Sequence, residues 1–456
     1  MKYLGCFKSY DIRGVVPEEF SEELAYKIAI AYTAIISPKR VVVGCDVRLE
    51  SKGMKQSITR GFNDSGVEVV DIGLCGSEEI YHYCFSNISK IDGGIMVTAS
   101  HNPKGHNGMK LVGKGGRPMS MEDDLKKIHD YVIDYKPLKK SRKEVIDLAY
   151  DKTQYIDHLL NYVDIKTLRP LKILVNPGNG PAGSIVKLLE EKLPFNFIYI
   201  NEVPDGNFPK GVPNPMLPEN RQETSNAVKK CKADLGVAWD GDFDRCFFFD
   251  ENGDFIDGYY IVGLIAQSIL ERSPQEKIVH DPRLLWNTVD IINEYNGLAV
   301  QSKSGHSFIK KTMRKENAVY GGEMSAHHYF RDFGYCDSGM IPWLIISELI
   351  SKSKGSLSSL INERIKKFPC SGEINYRTNR FDLIVKRILE KYKNVWHEVD
   401  KTDGISLNFK DWRFNLRKSN TENLIRLNIE TFQNTKKLNS CIDELELIIY
   451  HTNSIK

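Results

Sequence analysis

Three segments of the chain open alike. "KRVVVGCDVRLES" (39–51), "LKILVNPGNGPAG" (171–183) and "EKIVHDPRLLWN" (276–287) each set a basic residue before a β-branched run, then a polar loop with Asp or Asn. A helical pattern follows each. A second strand signal comes next, in "VEVVDIG" (67–73), "FNFIYIN" (195–201) and "LAVQSKSG" (298–305). A third strand then runs into a loop crowded with functional groups: "TASHNP" (98–103), "DGDFDRC" (240–246) and "GGEMSAHH" (321–328). The recurrence predicts an α/β protein with three similar mixed α/β domains and largely parallel sheets. Ligands of such sheets sit beyond the carboxyl ends of the strands, where all three loops fall.

At 456 residues the chain exceeds one ordinary core. Polar or loop-like stretches at 136–152, 252–258 and 368–375 are the expected joints, giving domains 1–145, 146–254, 255–368 and 369–456. The last, with an amphipathic stretch at 379–399 and "LIRLNIE" (424–430), is expected to be a smaller α+β domain. The 63 basic and 60 acidic residues balance too closely to favour nucleic acid, so any attraction for anions is local. Nine dispersed cysteines without a Cys-x-x-Cys suit a reducing compartment. No signal-peptide pattern and no membrane-length apolar run are present, and a cytoplasmic location is expected.

In "DGDFDR", Asp240, Asp242 and Asp244 alternate along a glycine-containing turn beside Arg245. Clustered carboxylates repel unless a hard cation neutralises them, and oxygen-only ligands favour Mg²⁺ over zinc. A solvated acidic turn is the alternative. An EF-hand would need a glutamate at its twelfth position, where Glu251 stands, but the intervening "CFFF" is strand-like. "RKSNTEN" (417–423) offers Arg417, Ser419, Asn420 and Thr421 as donors to a phosphate, although polar turns of this kind are common. Glu323, Ser325 and His327 could bind sugar hydroxyls, and Lys303 and His306 lie in a strand-end turn. Ser100 has His101 beside it, yet adjacent side chains of an extended segment point to opposite faces, and no Gly-x-Ser-x-Gly elbow is present. A serine near a metal loop and cations is better suited to carry a phosphoryl group.

Taken in order, "YDIRG" (10–14), "TASHNP", "DGDFDRC", "GGEMSAHH" and "RKSNTEN" resemble the signature loops of the α-D-phosphohexomutase superfamily. The likeness runs through the whole chain. "VPDGNFPKGVPNPMLPE" (203–219) and "GGEMSAHHYFRDFGYCDSGMIPW" (321–343) are similar to the superfamily's bacterial phosphomannomutase branch, which feeds GDP-mannose into surface polysaccharides. The resemblance implies three similar domains around a central cleft plus a smaller fourth one. It implies that Ser100 is a phosphoserine and, with Asp240, Asp242 and Asp244, a Mg²⁺ ligand. Glu323 and Ser325, with His327, would hold the sugar. Arg417, Ser419, Asn420 and Thr421 would hold the phosphate not being transferred. Tyr10, Arg13, His101, Lys110, Arg245 and His306 fall where the family places cleft residues. Three positions depart from common family usage: Phe243 and Ala326, often glycine in relatives though usual in this branch, and Asn423, usually proline.

The implied reaction interconverts mannose 6-phosphate and mannose 1-phosphate through phospho-Ser100 and a hexose 1,6-bisphosphate intermediate, which also serves as activator. Lys110, His101 and His306 are the candidate proton acceptors. A phosphoglucomutase or dual-specificity enzyme is the nearest rival, because mannose and glucose differ only at C2. A Mg²⁺-dependent sugar phosphatase and a non-catalytic sugar-phosphate scaffold are rivals of other classes. Neither nucleic acid nor membrane is an expected partner.

Overall fold

A computed structural model describes residues 4–136, 145–147, 150–353, 355–419 and 424–454. The chain divides into two compact units, one of Met1–Ile256 with His327–Lys354 and one of Asp257–Ala326 with Gly355–Lys456.

The tripled pattern is realised as three copies of one strand arrangement. In the first unit, Arg40–Cys45 lies between Glu68–Leu74 and Gly93–Val97, all parallel. The antiparallel strand His106–Gly113 follows on the outer side of Gly93–Val97. A second sheet repeats this with Lys172–Asn176 between Asn196–Tyr199 and Leu235–Trp239, then antiparallel Cys246–Phe249. In the second unit, Lys277–His280 lies between Leu298–Gln301 and Tyr320–Gly322, again parallel. Central strands such as Gly93–Val97 and Leu235–Trp239 are buried at every residue, which explains their unbroken apolar runs. Each of these two strands ends at a chemical loop.

Helices cover the sheets. Glu22–Ile36 starts at Ser21, whose side chain accepts the Leu24 N–H, with Glu22 and Glu23 in the first turn where the helix dipole favours them. The C-terminal domain is different, as expected. Its five strands run Cys370–Arg377, Leu424–Thr431, Trp412–Lys418, Ile405–Asn408, Glu398–Asp400 across an antiparallel sheet. The helices Phe381–Lys391 and Thr435–Ser454 pack on it, around Ile384, Ile388, Phe414, Leu427 and Leu445. Among the described residues no helix is long and apolar enough to cross a membrane.

Candidate active site

In the first unit, the loop after Gly93–Val97 places Ser100 in the left-handed region, φ 49°, and only 2 % exposed. A non-glycine residue there is strained and persists only when its surroundings hold it. The strain has a geometric result. Ser100 Oγ lies 2.9 Å from His101 Nδ1, so the two side chains meet. The expectation that they diverge rested on an extended backbone, which this turn is not. The Ser100 hydroxyl also donates to Asp240 Oδ2 at 2.8 Å. Arg245 Nη2 contacts His101 Nδ1, and a guanidinium can only donate, so that nitrogen is the acceptor. Partial burial and the Arg245 cation lower the His101 pKa to about 4, leaving the ring neutral at pH 7.

The strand Leu235–Trp239 delivers the carboxylate loop. One carboxylate oxygen from each of Asp240, Asp242 and Asp244 falls within 4.8 Å of the others, and all three residues are buried. Arg245 donates to Asp240 Oδ2 through Nε at 2.9 Å and Nη2 at 2.8 Å. Lys110 spans the other two, reaching Asp242 Oδ2 at 2.6 Å and also bonding Asp244 Oδ2. Burial opposes ionisation of Asp240, yet Arg245 holds it well below the usual carboxylate range. Burial and the neighbouring Asp242 push Asp244 well above that range. Burial works against the Lys110 charge, but Asp242 and Asp244 outweigh it and keep the amine protonated. Oδ1 of Asp242 and Oδ1 of Asp244 are buried, and among the described residues nothing donates a hydrogen bond to either. Two orphaned oxygens, three converging carboxylates and a serine hydroxyl within reach are a donor set that fits a hard, oxygen-seeking dication. The EF-hand alternative fails, because Cys246–Phe249 is a strand paired to Leu235–Trp239.

Sequence reading missed Ser77, the first residue of the helix Ser77–Ser86. Its Oγ donates to Asp242 Oδ2 at 2.5 Å and its N–H to the Asp242 carbonyl at 3.1 Å. Nothing in "CGSEEI" signals this, since the partners are 165 residues apart. Arg13 is held by Asp11 Oδ2 at 2.7 Å and donates to Asn102 Oδ1 at 2.9 Å, beside the serine loop. Tyr10 lies in the bend just before the strand Ile12–Val15 and is half-buried. His327, grouped with Glu323 and Ser325 in the sequence, belongs to this unit, its Nε2 3.8 Å from Asp244 Oδ1.

In the second unit, Glu323 Oε1 accepts the Gly305 N–H at 2.8 Å and Arg283 Nη2 at 3.2 Å. The same Nη2 reaches Ser325 Oγ at 3.3 Å. Glu373 is met by three guanidinium groups, of Arg283 (3.6 Å), Arg417 (3.4 Å) and Arg426 (3.2 Å). Three guanidinium groups converge there, a donor geometry that suits an anion, while Arg283 also pairs with Asp281 and Glu323 and Arg417 lies 3.9 Å from Asp403. Burial and the nearby Arg283 lower the Arg417 pKa. His306 opens the helix His306–Glu316 directly after Gly305. Ser419 follows the strand Trp412–Lys418, whereas Asn420, Thr421 and Asn423 lie outside the described residues. Arg283, Glu373 and Arg426 were not singled out from the sequence, although Asp-x-Arg-Leu occurs in both "CDVRL" and "HDPRL".

Two of the departures have a backbone explanation. Phe243 sits at φ 45° and Ala326 at φ 67°, conformations that glycine adopts freely. The Phe243 ring lies where a side chain on Gly76 would go, and its carbonyl faces Gly339.

A fold of repeated α/β units with a buried serine, an aspartate triplet and an arginine cluster is that of a phosphosugar-processing class. Family models described as phosphoglucomutase/phosphomannomutase alpha/beta/alpha domains I, II and III match residues 5–137, 153–253 and 257–368. A Xanthomonas campestris pv. campestris protein named phosphohexose mutases is 55% identical over 428 residues, 94% of this chain and 95% of that one. A phosphomannomutase of Escherichia coli K12 is 51% identical over 441 residues, covering 94% of this chain and 96% of its own. The crystal structure of a phosphoglucomutase/phosphomannomutase family protein from Burkholderia thailandensis matches with a TM-score of 0.87 at 27% identity, covering 100% of this chain and 99% of that one. The chain belongs to the phosphoglucomutase/phosphomannomutase family.

Proposed function

We propose that this chain is a phosphomannomutase, interconverting mannose 6-phosphate and mannose 1-phosphate through a phosphorylated Ser100. The observation that carries the reading is the Ser100 hydroxyl on Asp240 Oδ2, within a buried loop of three aspartates and flanked by Lys110 and Arg245. The names of its relatives support mannose as the sugar.

A free hydroxyl of the sugar attacks the phosphoserine phosphorus. A P–O bond to the sugar forms, the P–O bond to Ser100 breaks, and the hydroxyl proton passes to a base. The product is a hexose 1,6-bisphosphate, which turns end for end. Ser100 then recovers the other phosphoryl group by the reverse exchange. Asp240, Asp242 and Asp244 would hold Mg²⁺, which when bound supplies Lewis-acid withdrawal of charge from the transferring group. Lys110 acts as a cation on the equatorial oxygens, since two carboxylates keep it protonated, and Arg245 acts beside it. That leaves His101 and His306 as proton acceptors from the expected set. Glu323 and Ser325 take the ring hydroxyls, with His327 a third candidate there, and Arg417 with Ser419, Asn420 and Thr421 takes the resting phosphate. The four domains expected from the sequence then each carry one of the loops, in a cytoplasmic enzyme.

Coupled turnover of mannose 1-phosphate and glucose 1-phosphate, with and without Mg²⁺ and a hexose bisphosphate, tests this. Faster isomerisation of the mannose ester, lost on chelation and in Ser100→Ala, is expected. A glucose preference would overturn the substrate, and inorganic phosphate appearing as fast as isomer would make the protein a phosphatase.

A further inference from the structure

The strained backbone of Ser100 needs something to hold it, and the residues that do so come from a different loop. Asp46, directly after the strand Arg40–Cys45, is 4% exposed. Its Oδ1 accepts the Ser51 hydroxyl at 2.6 Å and the Arg48 N–H at 3.0 Å. Its Oδ2 accepts the Thr98 hydroxyl at 2.7 Å, and that same hydroxyl oxygen accepts the Ser100 N–H at 2.8 Å. The relay has one polarity only, because the carboxylate can only accept and the amide can only donate.

Arg48 completes the grip. Its Nη2 donates to the carbonyls of Ser100 (2.8 Å) and Asn102 (2.6 Å), and its Nη1 to those of Pro103 and His106, both at 3.0 Å. One guanidinium thus gathers four carbonyls, from the serine loop to the first residue of the strand His106–Gly113. A planar fork can span them; a lysine ammonium, a point donor, cannot. The Phe208 ring lies over the guanidinium, its centroid 5.5 Å away. Gly206 brings that turn against the backbone of Val47 and Leu49, so close that a Cβ would strike the Val47 carbonyl. This gives "VPDGNFPKG" a physical role, since it shields the Arg48 bonds from water and so strengthens them.

The second unit repeats the device. Asp281 follows the strand Lys277–His280, accepts the Arg283 N–H at 2.8 Å on Oδ1, and accepts the Met324 N–H at 3.1 Å on Oδ2. Arg283 then reaches Glu323 and Ser325. In the middle repeat, Asn176 stands at the equivalent place and bonds Gly178 N–H, with no arginine two residues on. There the carboxylate loop is held from outside, by Ser77. Two independent copies of Asp-x-Arg, each clamping the loop beyond the third strand, point to one shared role.

We propose that Arg48, seated on Asp46 and covered by Phe208, is a positioning residue for the reaction: it fixes Ser100 in the backbone state that aims Oγ at the carboxylate loop. The inference rests on Ser100 being the phosphate carrier. Arg48→Lys, Phe208→Leu and Ser100→Ala are compared for kcat, KM, thermal midpoint and uptake of phosphate from hexose 1,6-bisphosphate by intact mass. Misplacement of a reacting atom by about 1 Å costs on the order of 100-fold. Arg48→Lys is therefore expected to lose about that factor in kcat, with KM nearly unchanged and phosphate uptake slowed in parallel, and Phe208→Leu to lose less. Wild-type kcat in Arg48→Lys beside an inactive Ser100→Ala overturns the positioning role alone. Full activity in Ser100→Ala overturns the carrier reading and this inference together. A kcat loss accounted for wholly by unfolded protein makes Arg48 structural only. If Arg48→Lys fails to fold, an unaltered kcat in Phe208→Leu overturns the proposal.

Discussion

Gly241 lies between two of the aspartates, and its α-carbon faces the Ser100 carbonyl oxygen so closely that an added Cβ would collide with backbone. Real Cβ atoms essentially never come within 3.0 Å of such an atom, so in Gly241→Ala the two loops must move apart. The needed separation is on the order of 1 Å, enough to break the 2.8 Å bond from Ser100 Oγ to Asp240 Oδ2. Gly241 is outside the left-handed region, so alanine brings no backbone penalty and the effect is purely steric. A 1 Å displacement at a reacting centre corresponds to roughly 100-fold in rate, or about 2.7 kcal/mol in the barrier. Overpacking alone destabilises by about 1–3 kcal/mol, which leaves most of the protein folded. The assay is steady-state turnover of mannose 1-phosphate at saturating Mg²⁺, together with a thermal melt. Turnover within a few-fold of wild type, with an unchanged melt, would refute the argument that the loops are in steric register.

Ser77→Ala removes the hydroxyl that orients Asp242, and loss of such support around a metal site typically costs 10–100-fold in affinity. The Mg²⁺ concentration giving half-maximal turnover should rise by about that factor, and an unchanged requirement would sink the assignment. Arg417→Met should raise KM for mannose 1-phosphate by roughly 10- to 100-fold, the equivalent of a charge-assisted bond of about 1.5–3 kcal/mol, with a smaller effect on kcat. Equal effects on both constants under saturating conditions would argue for a different role. Glu78→Gln tests a buried acid: burial raises the Glu78 pKa to about 8, only partly offset by the Tyr155 hydroxyl and the Gly339 N–H. The folded carboxyl keeps its proton up to about pH 8 while the unfolded one releases it near 4.5, so the folded state binds the extra proton between them. Wild-type stability should therefore fall by up to a few kcal/mol as pH rises from about 5 to 8, and Glu78→Gln should lack that slope. Parallel stability profiles would contradict it.

The repeats were legible because their central strands are buried on both faces and must read as unbroken apolar runs, whereas the edge strand Leu298–Gln301 is largely exposed. "GGIMV" and "LGVAW" are the strands Gly93–Val97 and Leu235–Trp239, and "LIRLNIE" lies in Leu424–Thr431. The expected joint near 252–258 is tight: Phe255–Ile256 is a strand, and a helix starts at Gly258. The stretch 368–375 is largely the start of the strand Cys370–Arg377, and it supplies Glu373 to the arginine cluster. Local chemistry was visible where one loop concentrates it, as in "DGDFDR". Partners that folding brings from afar, such as Ser77 or Arg426, left no local pattern. The Ser100–His101 contact was misjudged because a periodicity argument assumes extended backbone, and nothing in "TASHNP" announces a left-handed serine.

The first unit is sewn shut by residues that the ribosome makes late. Trp239 Nε1 donates to the Gly339 carbonyl at 2.8 Å, Glu78 accepts the Gly339 N–H at 2.6 Å, and Trp343 packs edge-on against Phe197. A nascent chain that has finished residue 256 therefore still holds an indole without its Gly339 acceptor and a buried acid with the Tyr155 hydroxyl but not the Gly339 N–H. It must wait for the intervening 70 residues of Asp257–Ala326, and then for His327–Lys354, before the serine's surroundings can close. Chains of this design fold domain by domain only up to a point. A gene fragment ending at the apparent boundary near residue 256 would yield a protein with an open seam.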